Sequence, residues 1–146
     1  MAKKQLIRDV MTKNPHTCAE NDSVRDAATI MAREDTGVVP VVDGRRVVGL
    51  ITDRDIVVRV VAEGNDCGTA RVADAMTRGV RSVNEETPVD EVLQLMSKAQ
   101  VRRVPVVNGS DELVGIVSIG DLATETNKDD KVGQTIENIS TAPANN

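Results

Sequence analysis

Gly49-Leu50-Ile51-Thr52-Asp53-Arg54-Asp55 returns later in the chain as Gly115-Ile116-Val117-Ser118-Ile119-Gly120-Asp121. Each copy reads as the end of an apolar strand running into the start of a helix: Gly, two aliphatics, a hydroxyl residue, then Asp three positions on. One meaning of this spacing is a helix cap, in which Thr52 or Ser118 accepts a first-turn N–H and the acid bonds back to the cap residue. The other is a nucleotide site, where the helix N-terminus and the hydroxyl meet phosphate while the carboxylate accepts the hydroxyls of a ribose. Glu or Gln is the usual third-position partner in a capping box, and the shorter Asp reaches back less well. Two copies in equivalent frames give the ligand meaning weight that one copy would lack. Asp53 has no repeated counterpart and is read as a charge favourable to the helix dipole.

Working outward, the rest of the chain repeats as well. Asp9-Val10-Met11-Thr12 matches Asp74-Ala75-Met76-Thr77, an offset of 74 − 9 = 65. Val24, Ala27, Ala28 and Met31 match Val89, Val92, Leu93 and Met96, and Val39-Pro40-Val41-Val42 matches Val104-Pro105-Val106-Val107. One residue is added in the turn Asn108-Gly109-Ser110-Asp111, after which the offset is 115 − 49 = 66. The matched apolar sets fall at i, i+3, i+4 and i+7, one face of a helix, with Met31 and Met96 in the core.

The element order in each copy follows from these signals. His16-Thr17-Cys18, or Arg81-Ser82-Val83, is a first strand; Asp22 or Thr87 caps the next helix, with Pro88 at the first helical position of the second copy. Two strands joined by a tight turn then form a hairpin, from Val38 to Thr52 with the turn at Asp43-Gly44, and from Val104 to Ser118. The β-branched run Ile56-Val57-Val58-Arg59-Val60-Val61 has the propensity of a strand, but Thr52 as cap and Gly64 as stop make it a helix. The expected division is residues 7–63, a linker at 64–71, residues 72–125, and a polar tail at 126–146. In that tail Ile136 and Ile139 suggest a turn or two of helix docked on a partner, or fraying.

At 146 residues, 40% hydrophobic and 28% charged, the chain has the makings of an ordinary core rather than of disorder. A formal net charge of −5 argues against nonspecific nucleic-acid binding. No Phe, Tyr or Trp is present, so the usual stacking platform for single-stranded bases is missing and a bound purine must lie on aliphatic side chains and backbone. No apolar run is long enough for a membrane span and Met1-Ala2-Lys3-Lys4 lacks a signal-peptide core, which makes the cytoplasm the expected location. His16, Cys18 and Cys67 have no CxxC or HxxxH spacing; they are read as incidental, the cysteines as free thiols, and no metal is assigned. One histidine, no ordered Ser-His-Asp or Cys-His set and no P-loop leave nothing for catalysis.

With Asp9-Val10-Met11-Thr12, Gly37-Val38-Val39-Pro40-Val41, Gly49 to Asp55 and their second-copy partners assembled, the chain resembles a stand-alone pair of cystathionine-β-synthase (CBS) domains, a Bateman module, over roughly residues 7 to 125. The resemblance implies an α+β fold of two tandem β-α-β-β-α units with pseudo-twofold symmetry and two clefts, and commonly a homodimer. It also implies a regulatory ligand, such as AMP, ADP, ATP or S-adenosylmethionine, read out by a partner protein. Carried over to this sequence, one cleft would use Ser118, Gly120 and Asp121, with Arg102 or Arg103 near phosphate and the adenine against Asp22, Ala27, Thr36, Gly37 and Val38. The other would use Thr52, Arg54 and Asp55 with Thr87, Val92, Val101, Arg102 and Arg103. The copies differ where Arg102-Arg103 replaces Gly37-Val38, so the first cleft is expected to prefer the more heavily phosphorylated ligand. The competing reading of these two arginines is a solvated strand edge or a dimer ion pair, and of the whole chain a ligand-free dimerisation scaffold.

Overall fold

The computed structural model describes residues 5–125 and 129–140. After a 3-10 turn at Ile7–Asp9, the first repeat runs β1 (Thr12–Lys13), α1 (Val24–Glu34), β2 (Val38–Asp43), β3 (Arg46–Thr52) and α2 (Asp53–Ile56), which continues as a π-helical turn over Val57–Val61. The second runs α3 (Val72–Ala75), β4 (Thr77–Arg78), β5 (Val83–Asn84), α4 (Val89–Ala99), β6 (Arg103–Val107), β7 (Leu113–Ser118) and α5 (Ile119–Glu125), with α6 (Asp129–Ser140) beyond it. This is the expected α+β repeat.

The chain folds as two compact units, and each repeat's lead-in belongs to the unit of the other. In the unit spanning Pro15–Val80, an antiparallel sheet has the order β2-β3-β4, and Cys18 adds a single parallel bridge to Val41 on its outer side. In the unit made of residues up to Asn14 and from Arg81 onward, the order is β1-β7-β6-β5, with β5 parallel to β6. The first strand expected at His16-Thr17-Cys18 is thus reduced to one bridge, and its counterpart is Val83–Asn84.

Two glycines explain how the lead-ins reach their sheets. A Cβ at Gly49 would overlap the Met76 side chain and the Thr77 carbonyl; one at Gly115 would overlap Met11 and come 3.0 Å from the Thr12 carbonyl. A bare backbone lets each strap lie across its strand, β4 on Gly49 and Leu50, β1 on Gly115 and Ile116. The hairpins share a register shift at Val41/Val42 and at Val106/Val107, so the bulge was duplicated with the rest. The extra turn residue is absorbed by Asn108, whose side-chain oxygen accepts the N–H groups of Ser110 and Glu112 at 2.9 and 3.0 Å.

Helices α1 and α4 bury the expected face, Val24, Ala27 and Met31 in one core and Val89, Val92, Leu93 and Met96 in the other. Their expected caps are corrected. Ser23, not Asp22, caps α1 by accepting the Asp26 N–H at 3.1 Å, while the Asp22 carboxylate accepts the Ala19 N–H at 2.8 Å. Pro88, not Thr87, occupies the cap position of α4, outside the first turn, and Thr87 gives its carbonyl to the Ile7 N–H at 2.8 Å. The valine run is helical as expected. It adopts π hydrogen bonding, with Ala62 N–H to the Val57 carbonyl at 2.8 Å, and stops at Gly64 with φ +78°.

The tail segment through Ser140 is a three-turn helix rather than one or two turns, and it packs on α4 of its own unit, with Val132, Thr135 and Ile139 buried. The Thr135 hydroxyl donates to the Leu93 carbonyl at 3.5 Å, and Gln100 Nε2 donates to the Asn138 carbonyl at 3.2 Å. The remainder of the expected tail, residues 126–128 and 141–146, lies outside the described residues, as do Met1-Ala2-Lys3-Lys4.

Candidate functional site

In each unit the sheet delivers the end of one hairpin strand beside the start of the other. Val38 pairs with Thr52 in one and Arg103 with Ser118 in the other. The helix that follows is stitched to the same place: the Asp53 N–H donates to the Gly37 carbonyl at 3.0 Å, and the Ile119 N–H to the Arg102 carbonyl at 2.9 Å. Thr36, Gly37 and Val38 therefore meet Thr52 and Asp53, and Arg102 and Arg103 meet Ser118 and Ile119.

Both hydroxyl–acid pairs form capping boxes. Thr52 Oγ1 accepts the Asp55 N–H at 3.0 Å while Asp55 Oδ2 accepts the Thr52 N–H at 2.9 Å. Ser118 Oγ accepts the Asp121 N–H at 3.1 Å while Asp121 Oδ2 accepts the Ser118 N–H at 3.0 Å. The boxes differ in burial and in company. Asp55 is 0% exposed, with Arg59 Nε 4.0 Å from its Oδ1; Asp121 is only half-buried, and a glutamate stands at the position equivalent to Arg59. A second-copy carboxylate reachable from solvent is better placed to accept hydroxyl donors than a wholly enclosed one.

The other candidate residues separate into three groups. Ala27 and Val92 are fully buried members of the two cores, and their packing role accounts for them. Thr36 and Gly37 shape the turn before β2: the Thr36 hydroxyl accepts the Val38 N–H at 3.3 Å, and a Cβ at Gly37 would stand 3.1 Å from Asp53 Oδ2. Val101 and Val38 are half-buried, Gly120 is exposed in the first turn of α5, and among the described residues the guanidinium groups of Arg54, Arg102 and Arg103 have no hydrogen bond or ion pair. Cations without a partner beside an N-terminal helix turn are suited to phosphate.

Arg59 was not among the candidates. Its Nη1 donates to the carbonyls of Ala75 and Met76, at 3.1 and 2.9 Å, so it bridges the π-helical turn and the strap of the second repeat. Its spacing of four from Asp55 on one helix was the available signal.

His16 lies 2.8 Å from Glu34 through Nε2, and the Cys18 thiol is directed at the Pro40 carbonyl at 3.9 Å. Burial, with a smaller contribution from the Asp22 carboxylate, pushes the Cys18 thiol up to about 12. Among the described residues no three His, Cys, Asp or Glu side chains are gathered for a metal ion. No described helix is long and apolar enough to cross a membrane.

The sequence pattern of the CBS domain matches residues 7–62 and again residues 72–127. CBS domain-containing protein YhcV of Bacillus subtilis is 36% identical over 134 residues, covering 92% of this chain and 94% of its own. The CBS domain pair of protein MJ0100, solved in complex with 5-methylthioadenosine and S-adenosyl-L-methionine, superposes with a TM-score of 0.73 at 34% identity, over 83% of this chain and 94% of that one. CBSX2 in complex with AMP gives a TM-score of 0.68 at 25% identity, over 81% and 93%. Duplicated strand-to-helix turns, lead-ins laid across paired glycines and these matches together identify the chain as a member of the CBS domain family, carrying two CBS domains in tandem.

Proposed function

We propose that this chain is a non-catalytic regulatory module that binds an adenine nucleotide or another adenosyl compound and reports its presence to a partner protein through a change in conformation. The observation that carries the reading is the second-copy turn: the half-buried Asp121 follows Ser118, whose backbone pairs with that of Arg103 and whose neighbour Ile119 bonds the Arg102 carbonyl, and among the described residues neither guanidinium has a hydrogen bond or ion pair. That is a carboxylate for sugar hydroxyls next to positive charge for phosphate. The AMP complex of CBSX2 and the adenosyl complexes of MJ0100 support the ligand class. Only a ligand that prefers one conformation could shift the module, so the partner is sensitive to that difference.

Isothermal calorimetry with AMP, ADP, ATP and S-adenosylmethionine tests the reading. At least one should bind to the unsubstituted chain, Asp121→Ala should weaken it tenfold or more, by about 1.4 kcal/mol, and Arg103→Ala should weaken ATP more than S-adenosylmethionine. No heat from any of the four at millimolar concentration defeats it.

A second reading, a ligand-free homodimeric scaffold, is favoured by the enclosure of Asp55, whose acid is already used inside its own capping box. It predicts that Asp55→Ala and Asp121→Ala leave partner binding unchanged, and that nucleotide shifts the melting temperature of no variant.

A further inference from the structure

Arg59 lies one helical turn beyond Asp55 and joins two things that the sequence keeps apart. Its Nη1 donates to the Ala75 carbonyl at 3.1 Å and the Met76 carbonyl at 2.9 Å, groups at the C-terminal end of α3. Its Nε stands 4.0 Å from Asp55 Oδ1. A planar guanidinium with donors on several edges can hold carbonyls and a carboxylate at once, which neither a lysine nor a neutral side chain does equally well.

We propose that Arg59 couples the Asp55 carboxylate to the strap formed by α3 and β4, so that engagement of Asp55 is felt as a change in the hold on that strap. The α3 part of the strap is anchored in the core by Val72, Ala75 and Met76 and by the Val72 and Ala73 N–H groups on the Asp22 and Glu20 carbonyls, at 2.8 and 3.0 Å, so the coupling acts on its C-terminal end, from Ala75 into β4. Met76 and Thr77 lie against Gly49, Thr77 and Arg78 pair with Leu50 and Gly49, and Arg78 Nη2 bonds Glu20 Oε2 at 2.9 Å, where that hydrogen bond lowers the Glu20 pKa. Asp55 is enclosed, with Oδ2 in the capping box and Oδ1 toward Arg59, so a hydroxyl donor can reach this carboxylate only by displacing a present neighbour, and one that takes the place of Arg59 at Oδ1 weakens the pull on the guanidinium. By linkage, a strap pulled away from Arg59 alters the affinity at Asp55 by the same factor.

Among the described residues the device is present in one repeat only. Position 125, equivalent to 59 at the offset of 125 − 59 = 66, holds Glu, which has no N–H to offer a carbonyl. The corresponding strap, with Met11 against Gly115, is fastened to β7 without a cation from that position. The two repeats, near copies in their sheets, therefore differ in whether the acid at the helix start is wired to the lead-in.

The ligand-dependent half of this proposal rests on nucleotide binding by the chain, and the ligand-free half does not. Hydrogen exchange at the Met76, Thr77 and Arg78 amides of the full chain tests both, with calorimetry on the same samples recording whether AMP binds. Without AMP, Arg59→Met and the isosteric Asp55→Asn should each speed exchange at these amides about tenfold, with Arg59→Lys between them and the unsubstituted chain. The α1 amides, which report whether each variant has folded, should not change. With AMP, the unsubstituted chain should exchange faster at the strap, and Arg59→Met should bind AMP without that response. Loosening in Arg59→Met but not in Asp55→Asn overturns the coupling, leaving Arg59 a structural bond; so does an equal AMP response in Arg59→Met. If AMP does not bind the unsubstituted chain, the ligand arm uses whichever of ADP, ATP and S-adenosylmethionine does; if none of the four binds, the nucleotide reading fails, and the Asp55→Asn comparison alone decides the coupling.

Discussion

A single missing methyl at Gly49 and at Gly115 decides whether the lead-in straps can lie on their sheets. Gly49→Ala places a carbon into the end of the Met76 side chain, which can turn aside, and into the Thr77 carbonyl, which as backbone cannot. The expected loss is about 1–3 kcal/mol, read from urea unfolding. Ser118→Ala removes one cap bond and should cost about 1 kcal/mol, so Asp121→Ala must be compared with it before any loss of nucleotide affinity is assigned to the carboxylate. Cys18 provides a pH test. The folded chain keeps its thiol protonated up to about 12, whereas an unperturbed thiol ionises at 9.0, so between these values the native state holds the extra proton. Stability contributed by the protonated thiol is complete below the lower value and is lost as pH rises toward the upper one. Urea midpoints should fall across that window, and Cys18→Ala should flatten the fall. The hydroxyl–acid spacing was legible because a capping box is local chemistry. The difference between Asp55 and Asp121 was not, since exposure depends on residues distant in sequence.

At the scale of elements, the repeated face of α1 and α4 and the two hairpins followed from periodicity and turn residues. The valine run became helix because a cap at Thr52 and a stop at Gly64 outweighed β-branched propensity; it takes the π form, and Val57 and Val61 are 56% exposed. Helix α6 was legible as an element but not in its target. Its Ile136, read with Ile139 as a docking pair, is 44% exposed, while Val132, Thr135 and Ile139 face α4. Ile139→Ala should cost about 2–5 kcal/mol by chemical unfolding, whereas Ile136→Ala should be nearly neutral in the monomer. A loss of self-association in Ile136→Ala, seen by analytical ultracentrifugation, would instead mark it as a contact between copies.

At the scale of the whole molecule, the exchange of lead-ins means that neither repeat supplies its own complete core. Ile7 and Val10 are buried with α4, β6 and β7, and Val72, Ala75 and Met76 are buried with α1, β2 and β3. Deleting residues 1–14 should therefore expose the unit that begins at Arg81 to limited proteolysis while the unit Pro15–Val80 persists, the reverse of what two self-contained repeats would give. The sequence by itself determined the duplication, the β-α-β-β-α order, the helix faces and the two hydroxyl–acid turns, because each is written in spacing shorter than a single element. Only the tertiary structure decided which sheet each lead-in joins, which acid is enclosed, and that Arg59 reaches Ala75 and Met76. Met11-Thr12 and Met76-Thr77 present the same local pattern, and so do Gly49 and Gly115. Identical chemistry offers no preference between own sheet and other sheet, so the choice is made by the cores that the straps complete.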